Sequence, residues 1–177
     1  APSEKRMLGY MAWKVAITRR DGPTALALTR QALPTLDRKI FGKAEGLWKG
    51  AYILAELVGG GPEEVILMAS GSEVNLIVEA GKVLMKEGIT VLLVSFPSWE
   101  LFKAQPQEYR DLVLPPKLTK RVAVEAGIGM GWERWVGDQG IILSIEQYGA
   151  SAPYQTIYQR YGLTVEAVIE AARTLTA

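Results

Sequence analysis

A fully apolar run at residues 65–69 constrains the fold of this chain more than any other feature. Its five side chains include no polar group, which is typical of a parallel strand that is buried on both faces. An amphipathic helix follows through about Lys86 and is closed by Gly88, and another apolar strand spans residues 89–94. Strands and helices alternate in this way to the end of the chain. The pattern predicts an α/β domain of three layers with a mainly parallel sheet.

The same alternation sets the predicted domain organisation. Further strands are expected at residues 51–55, 121–125 and 141–145, so that residues 50–177 form one domain. Upstream, a helix from Met7 to Arg20 and a strand at residues 24–29 have no partner strand before them. We interpret residues 1–49 as the tail of a preceding domain followed by a linker over residues 33–50.

Composition excludes several kinds of chemistry. The 177 residues contain no cysteine and no histidine, which excludes thiol nucleophiles, disulfides and imidazole catalysis. Twenty basic and nineteen acidic residues give a net charge of +1 without charged blocks, which argues against a nucleic-acid partner. No apolar run approaches the roughly 18 residues of a membrane span. We therefore expect a cytoplasmic protein with neither a nucleic acid nor a membrane as its partner.

Arg30 is the candidate substrate-binding residue. It follows the apolar stretch of residues 24–29, and ligands of open α/β sheets bind at the carboxyl ends of strands. A planar guanidinium at that place suits a phosphate or a carboxylate. The alternative is an arginine that closes the strand and pairs with a neighbouring acidic residue.

Two loops resemble anion-binding loops in part. Ser70-Gly71-Ser72-Glu73 opens a helix after a buried strand, but the same residues form a capping box, which is the interpretation we favour. The glycines at 127, 129 and 131 lack the G-x-G-x-x-G spacing of a dinucleotide site.

Three large or charged residues near the second loop have both structural and functional interpretations. Glu125 ends a predicted strand, where a catalytic carboxylate could stand, but a salt bridge with a lysine or arginine is the favoured role. Trp132 and Trp135 are three residues apart on one helical turn and are expected to pack against the sheet or, if exposed, to form a subunit interface.

Several stretches, in order and at matching intervals, resemble one enzyme family. They are Asp21-Gly22-Pro23-Thr24-Ala25-Leu26-Ala27-Leu28-Thr29-Arg30-Gln31, Ala69-Ser70-Gly71-Ser72-Glu73-Val74, Phe96-Pro97-Ser98, Arg121-Val122-Ala123-Val124-Glu125-Ala126-Gly127, Tyr148-Gly149-Ala150-Ser151-Ala152-Pro153 and Tyr161-Gly162-Leu163-Thr164. Over nearly its whole length the chain resembles the transketolases. The pair Gly-x-Ser-Ala-Pro and aromatic-Gly-x-Thr separates them from related 2-oxo-acid dehydrogenase β subunits and deoxyxylulose phosphate synthases. Tyr148 and Tyr161 stand where phenylalanine is common in the family.

The resemblance implies the C-terminal part of a homodimeric enzyme of the pentose phosphate pathway. Such an enzyme uses thiamine diphosphate and magnesium to move a two-carbon ketol unit from ketose phosphates to aldose phosphates. Residues 1–49 would be the tail of the pyrimidine-binding domain with a linker, and residues 50–177 the C-terminal domain. Of the family's functional residues only the arginine that binds the substrate phosphate is matched, by Arg30. The chain alone is expected to bind no cofactor and to be inactive. The alternative function is a stand-alone α/β interaction or regulatory module that binds a small anion at Ser70 to Glu73.

Overall fold

The computed structural model describes residues 4–29, 31–37, 39–62 and 64–177, with side chains from Gly9 onward. Five strands are present in the described residues: β1 (Tyr52–Leu57), β2 (Glu64–Ala69), β3 (Thr90–Ser95), β4 (Arg121–Val124) and β5 (Ile141–Leu143). They form one sheet in the order β1-β3-β2-β4-β5. β1 is antiparallel to β3, and the three other pairs are parallel. The predicted α/β class with a mainly parallel sheet is therefore confirmed.

Helices cover both faces of this sheet. Those in the described residues are α1 (Glu4–Thr18), α2 (Val74–Lys86), α3 (Trp99–Lys103), α4 (Gln107–Val113), α5 (Glu133–Val136), α6 (Tyr154–Arg160) and α7 (Val165–Thr176). Short 3-10 turns lie at Ala44–Lys49 and Gly71–Glu73. The Thr164 hydroxyl caps α7, because its oxygen accepts a hydrogen bond from the backbone N–H of Ala167 at 3.2 Å.

Alternation along β2 divides the core into two layers. Val65 and Leu67 face the cluster formed with α2 and α7, whereas Ile66 and Met68 face the aromatic cluster on the other side. All four side chains are fully buried. A strand that is buried on both faces needs apolar residues at every position, and this explains the uninterrupted run in the sequence.

The strand predicted at residues 24–29 is absent from the structure. The chain there is extended but pairs with no other strand in the described part, and Leu28 is 71% exposed. An apolar stretch becomes a strand only where a neighbouring strand satisfies its backbone groups, so the sequence prediction was wrong here. The helix that precedes it was predicted correctly. It packs on the first 3-10 turn, where the Trp48 indole N–H donates to the Met11 sulfur at 3.3 Å.

Two glycines fix the path of the chain as it enters the sheet. Gly42 donates its N–H to the carbonyl of Leu54 in β1 at 2.6 Å, although Gly42 itself is outside the sheet. Gly50 has a φ of 83°, and a Cβ there would lie 2.2 Å from the backbone nitrogen of Phe102. Only glycine therefore fits at this point of entry.

The connections between strands create a topological switch point at the carboxyl edge of the sheet. α2 joins β2 to β3 across one face, and α3 and α4 join β3 to β4 across the other. Because β2 and β4 are neighbours, the loops that follow them lie side by side at the point where the direction of the chain reverses. In open α/β sheets this is where ligands bind.

Candidate functional site

Arg30, the residue to which sequence analysis assigned substrate binding, lies outside the described residues. The next residue, Gln31, is partly buried, whereas Thr29 and Ala32 are exposed.

Glu73 is the central group at the carboxyl end of β2. It is only 3% exposed, and one of its carboxylate oxygens, Oε1, accepts a hydrogen bond from the Ser72 hydroxyl at 2.5 Å. The Tyr158 hydroxyl donates to the same oxygen, and the Ser72 and Tyr158 hydroxyls are 3.0 Å apart. Three side-chain oxygens thus form a compact triangle beneath the loop.

Burial determines the acid–base character of this triangle. Loss of solvent raises the pKa of the Glu73 carboxyl above its ordinary value, and the hydrogen bonds from Ser72 and Tyr158 offset this only in part. The negative charge of Glu125 also raises it, because the two carboxyls follow neighbouring strands. Burial likewise raises the pKa of the Tyr158 hydroxyl, and the bond to Glu73 adds to this effect. Both groups therefore hold their protons more tightly than they would in water.

The capping box predicted at Ser70 to Glu73 is not formed. The side chain of Ser70 makes no capping bond, and the Glu73 N–H instead donates to the Ser70 carbonyl at 3.2 Å in a 3-10 turn. The Glu73 side chain points into the triangle rather than back along the loop. The Ser72 hydroxyl already donates to this carboxyl and is not free to bind an anion, and this argues against the alternative anion-binding module.

Glu125 is held by neighbours other than those predicted. Its two oxygens accept from the Trp132 indole N–H at 3.2 Å and from the Gly127 N–H at 3.1 Å. In the part of the chain that the structure describes, no lysine or arginine pairs with it. Neutral donors in the adjoining loop take that role.

The two tryptophans belong to the core and not to an exposed interface. Trp132 is 1% exposed, and its ring meets Phe96 and Trp99 edge-on at centroid distances of 5.5 and 5.3 Å. The Trp135 ring packs on Phe96 at 4.9 Å and on Phe102 at 5.4 Å. Of the two interpretations left open by their spacing, packing against the sheet is the one realised.

The glycine loop after β4 is bound by carboxylates of its own chain. Gly129 donates its N–H to Glu146 at 2.8 Å, and Gly131 donates to Glu133 at 2.6 Å. The bonds from Ser144 and Gly129 lower the pKa of the Glu146 carboxyl, so it stays negatively charged beside the loop. A dinucleotide phosphate would need these amides and would meet that charge, and the geometry thus agrees with the sequence-based rejection of such a site.

An open cleft of about 730 Å³ adjoins the triangle. Residues of the loops after β4 and β5 line it together with α6, and three tyrosines, Tyr148, Tyr158 and Tyr161, take part. The Tyr161 hydroxyl donates to the Tyr148 carbonyl at 2.9 Å. Tyr158 therefore faces the cleft on one side and the buried Glu73 carboxyl on the other.

Sequence analysis missed the role of Tyr158, whose hydroxyl donates to Glu73 and lies 3.0 Å from the Ser72 hydroxyl. Tyr158 is far from both residues in the sequence, and no spacing pattern links it to them.

Comparisons with known proteins identify a family to which this chain is similar. The family model described as a transketolase-like TK C-terminal domain matches residues 50–164. A transketolase from Geobacillus stearothermophilus is 49% identical over 93% of this chain and 24% of its own length, and a chloroplastic one from Zea mays is 45% identical over 92% and 24%. The three-layer domain is therefore of the transketolase C-terminal kind. The chain belongs to the transketolase family.

Solved structures agree with this assignment. A transketolase from Leishmania mexicana matches with a TM-score of 0.80 and 38% identity over 94% of this chain and 23% of its own. One from Pichia stipitis in complex with sedoheptulose 7-phosphate gives 0.80 and 35% over 95% and 24%. The chain spans about a quarter of the length of these relatives. In the described residues, no helix has the length and apolar character needed to cross a membrane.

Proposed function

We propose that this chain is the C-terminal part of a transketolase that transfers a two-carbon ketol unit from ketose phosphates to aldose phosphates. The observation that carries the proposal is the family relationship, which extends over 93% of the chain at 49% identity to the Geobacillus stearothermophilus enzyme. Sugar phosphates as substrates are supported by the complex of the Pichia stipitis enzyme with sedoheptulose 7-phosphate. The complete enzyme would act in the pentose phosphate pathway, as a cytoplasmic homodimer.

The proposed division of the chain follows from the same relationship. Residues 50–177 are the C-terminal domain, and the match of the family model to residues 50–164 supports this boundary. Residues 1–49 are the tail of the pyrimidine-binding domain with its linker. The conformational restriction at Gly50 supports a junction at that point.

Thiamine diphosphate and magnesium are the cofactors that this function requires of the complete enzyme. The residues of this chain do not fit their site, because among the described residues no group of three or more His, Cys, Asp or Glu side chains could hold a metal ion. The sequence also contains no histidine. We therefore assign cofactor binding to other parts of the enzyme and expect the chain alone to be inactive.

Arg30 is the proposed substrate-binding residue of this chain. A guanidinium presents up to five donors in a planar fork, which suits a phosphate group bound through two parallel hydrogen bonds. The phosphate of a ketose is remote from the carbons that react, so it is held equally in the ground state and the transition state. Its contribution should consequently appear in KM more than in kcat.

The test replaces Arg30 in the complete enzyme. Arg30→Ala should lower kcat/KM for phosphorylated donors by about 10- to 150-fold, which corresponds to a charge-assisted hydrogen bond of roughly 1.5–3 kcal/mol. An unphosphorylated ketol donor should be affected little. Arg20→Ala, which removes an exposed guanidinium from the same segment, is the matched control and should change neither donor. An equal loss with both donors in Arg30→Ala would contradict the assignment.

A further inference from the structure

We propose that α1 is held between two parts of the complete enzyme. One side of the helix packs on the C-terminal domain, and the opposite side is an interface for the part of the enzyme that precedes this chain. The inference rests on the proposed function, which makes this chain one piece of a longer protein. It begins from three large side chains that α1 leaves exposed, those of Tyr10, Trp13 and Ile17.

These three side chains form one face, here called the outer face of α1. Their positions are three and four residues apart, which places them within about 60° of one another around a helix of 3.6 residues per turn. Tyr10 is 60% exposed, Trp13 58% and Ile17 63%. Large apolar side chains gain free energy when they leave water, and a contiguous group of them on a surface marks a contact site.

The other side of α1 is already in contact with the C-terminal domain. Met11 is 8% exposed, and the Trp48 indole N–H donates to its sulfur at 3.3 Å. The Lys14 ammonium lies 5.5 Å from the centroid of the same indole ring. Met11 and Trp13 are two residues apart, so they point to nearly opposite sides of the helix. A helix that is apolar on both sides is typical of a buried position, and the C-terminal domain covers only the Met11 side.

The relatives of this chain indicate what covers the outer face. The chain spans 24% of the length of the Geobacillus stearothermophilus enzyme, and the C-terminal domain model matches residues 50–164. The greater part of the complete enzyme therefore lies on the amino-terminal side of that domain, where α1 also lies. A domain joined to the start of α1 meets the outer face at a high effective concentration, an advantage that a second copy of the chain does not have.

Hydroxyl-radical oxidation followed by mass spectrometry compares this chain with the complete enzyme. Tyr10 and Trp13 should be oxidised at least about fivefold more slowly in the complete enzyme, because a ring at an interface keeps only a small part of its exposure. Trp48 is the matched control. It packs on the opposite side of α1, so its oxidation should be the same in both proteins.

Trp13→Glu provides a second test in the same two proteins. In this chain the ring is exposed, so the melting temperature should not change. In the complete enzyme the carboxylate would be buried among apolar groups, and the melting temperature should fall by at least about 4 °C. Trp13→Phe keeps an apolar ring and should lower it far less. The chain thus controls for any effect of the substitution on the helix itself.

Equal oxidation of Tyr10 and Trp13 in the two proteins would overturn the inference, as would an equal effect of Trp13→Glu on both. Protection that appears in this chain alone and grows with its concentration would also overturn it, since a second copy would then cover the outer face. Ketol transfer by the complete enzyme is measured separately. If that activity is absent while Tyr10 and Trp13 are protected, the proposed reaction fails and the interface of α1 stands.

Discussion

The indole N–H of Trp132 donates a hydrogen bond to the Glu125 carboxylate, with the nitrogen and the oxygen 3.2 Å apart. This bond joins the end of β4 to the aromatic cluster that fills one face of the sheet. Trp132 satisfies its polar atom at the edge of the core while its rings pack edge-on against Phe96 and Trp99. The Trp132 side chain therefore holds the end of β4 by its hydrogen bond and fills the core with its rings.

Replacing this side chain should destabilise the domain strongly. Trp132→Ala removes a 1%-exposed ring and leaves Glu125 without one donor, so the free energy of unfolding should fall by about 3–5 kcal/mol. Urea denaturation measures the change. Trp13→Ala, at a side chain that is 58% exposed, should stay within about 0.5 kcal/mol of the unchanged chain. Similar losses in the two variants would mean that the ring is not part of the core.

Thr164 and Ser70, which each precede a helix, should contribute differently to the stability of the domain. Thr164→Ala removes the side-chain cap of α7 and should lower the free energy of unfolding by about 1 kcal/mol. Ser70→Ala should lower it by less, since the Ser70 side chain makes no capping bond. Thermal unfolding of the two variants side by side provides the comparison. A larger effect at Ser70 would show that the capping box forms after all.

The stability of the domain should depend on pH through Glu73. In the unfolded chain its carboxyl titrates near the ordinary value of 4.5, whereas burial raises the pKa in the folded chain. Protonation is thus easier in the folded state, and the stabilising contribution is complete below the ordinary value and lost as the pH rises through the raised pKa. Relative to Glu73→Gln, the unchanged chain should lose stability as the pH rises above the ordinary value of 4.5 and through the raised pKa. Chemical denaturation across this range measures the difference.

Glu87→Gln is a control of opposite sign for that experiment. The bond from Arg173 lowers the pKa of the Glu87 carboxyl, so its contribution is present above the ordinary value and is lost as the pH falls through the lowered pKa. Relative to this variant, the unchanged chain should lose stability on acidification. For each variant, the measured quantity is its difference from the unchanged chain in the free energy of unfolding. If the differences for Glu73→Gln and Glu87→Gln changed with pH in the same direction, the environment described for Glu73 would be contradicted.

Limited proteolysis should cut the exposed segment of residues 19–29 before any other part of residues 9–177. That segment has no helix or strand, and Leu28 is 71% exposed. Sequence analysis predicted a linker over residues 33–50, and a linker of that kind would be expected to be cut first. The structure moves the first cut upstream, because Ala44 is buried and Gly42 is bonded to β1. Mass spectrometry of early fragments from a non-specific protease would locate the cut, and an early cut within residues 44–49 would contradict this order.

The sequence predicted the sheet well because burial on both faces leaves an unmistakable pattern. Residues 65–69 lie in β2 as expected, and the alternation downstream of them is confirmed. The strand at residues 24–29 was wrong because periodicity reports how apolar a segment is and not whether a partner strand lies beside it. Local composition could not supply that information.

The candidate site was less accessible to sequence reasoning. Glu73 was assigned a local capping role because its spacing from Ser70 allows one, but the Tyr158 hydroxyl, on the distant helix α6, draws the carboxyl inward. Glu125 was expected to pair with a cation and instead accepts from Trp132 and Gly127. In both cases the observed donors come from loops or helices that only the folded topology brings close to the carboxyl.

The hydrogen bond from Gly42 to Leu54 also satisfies a backbone carbonyl at one edge of the sheet. A free edge strand exposes unpaired backbone groups on which another chain can add as a further strand. At one end of this sheet β5 is only three residues long, and at the other the Gly42 N–H satisfies the β1 carbonyl of Leu54. A chain beginning at residue 50 would uncover that carbonyl and would also lose the buried side chains of Met11 and Ala44. The segment before the domain thus leaves one fewer unpaired backbone group on this edge for a further strand to bind.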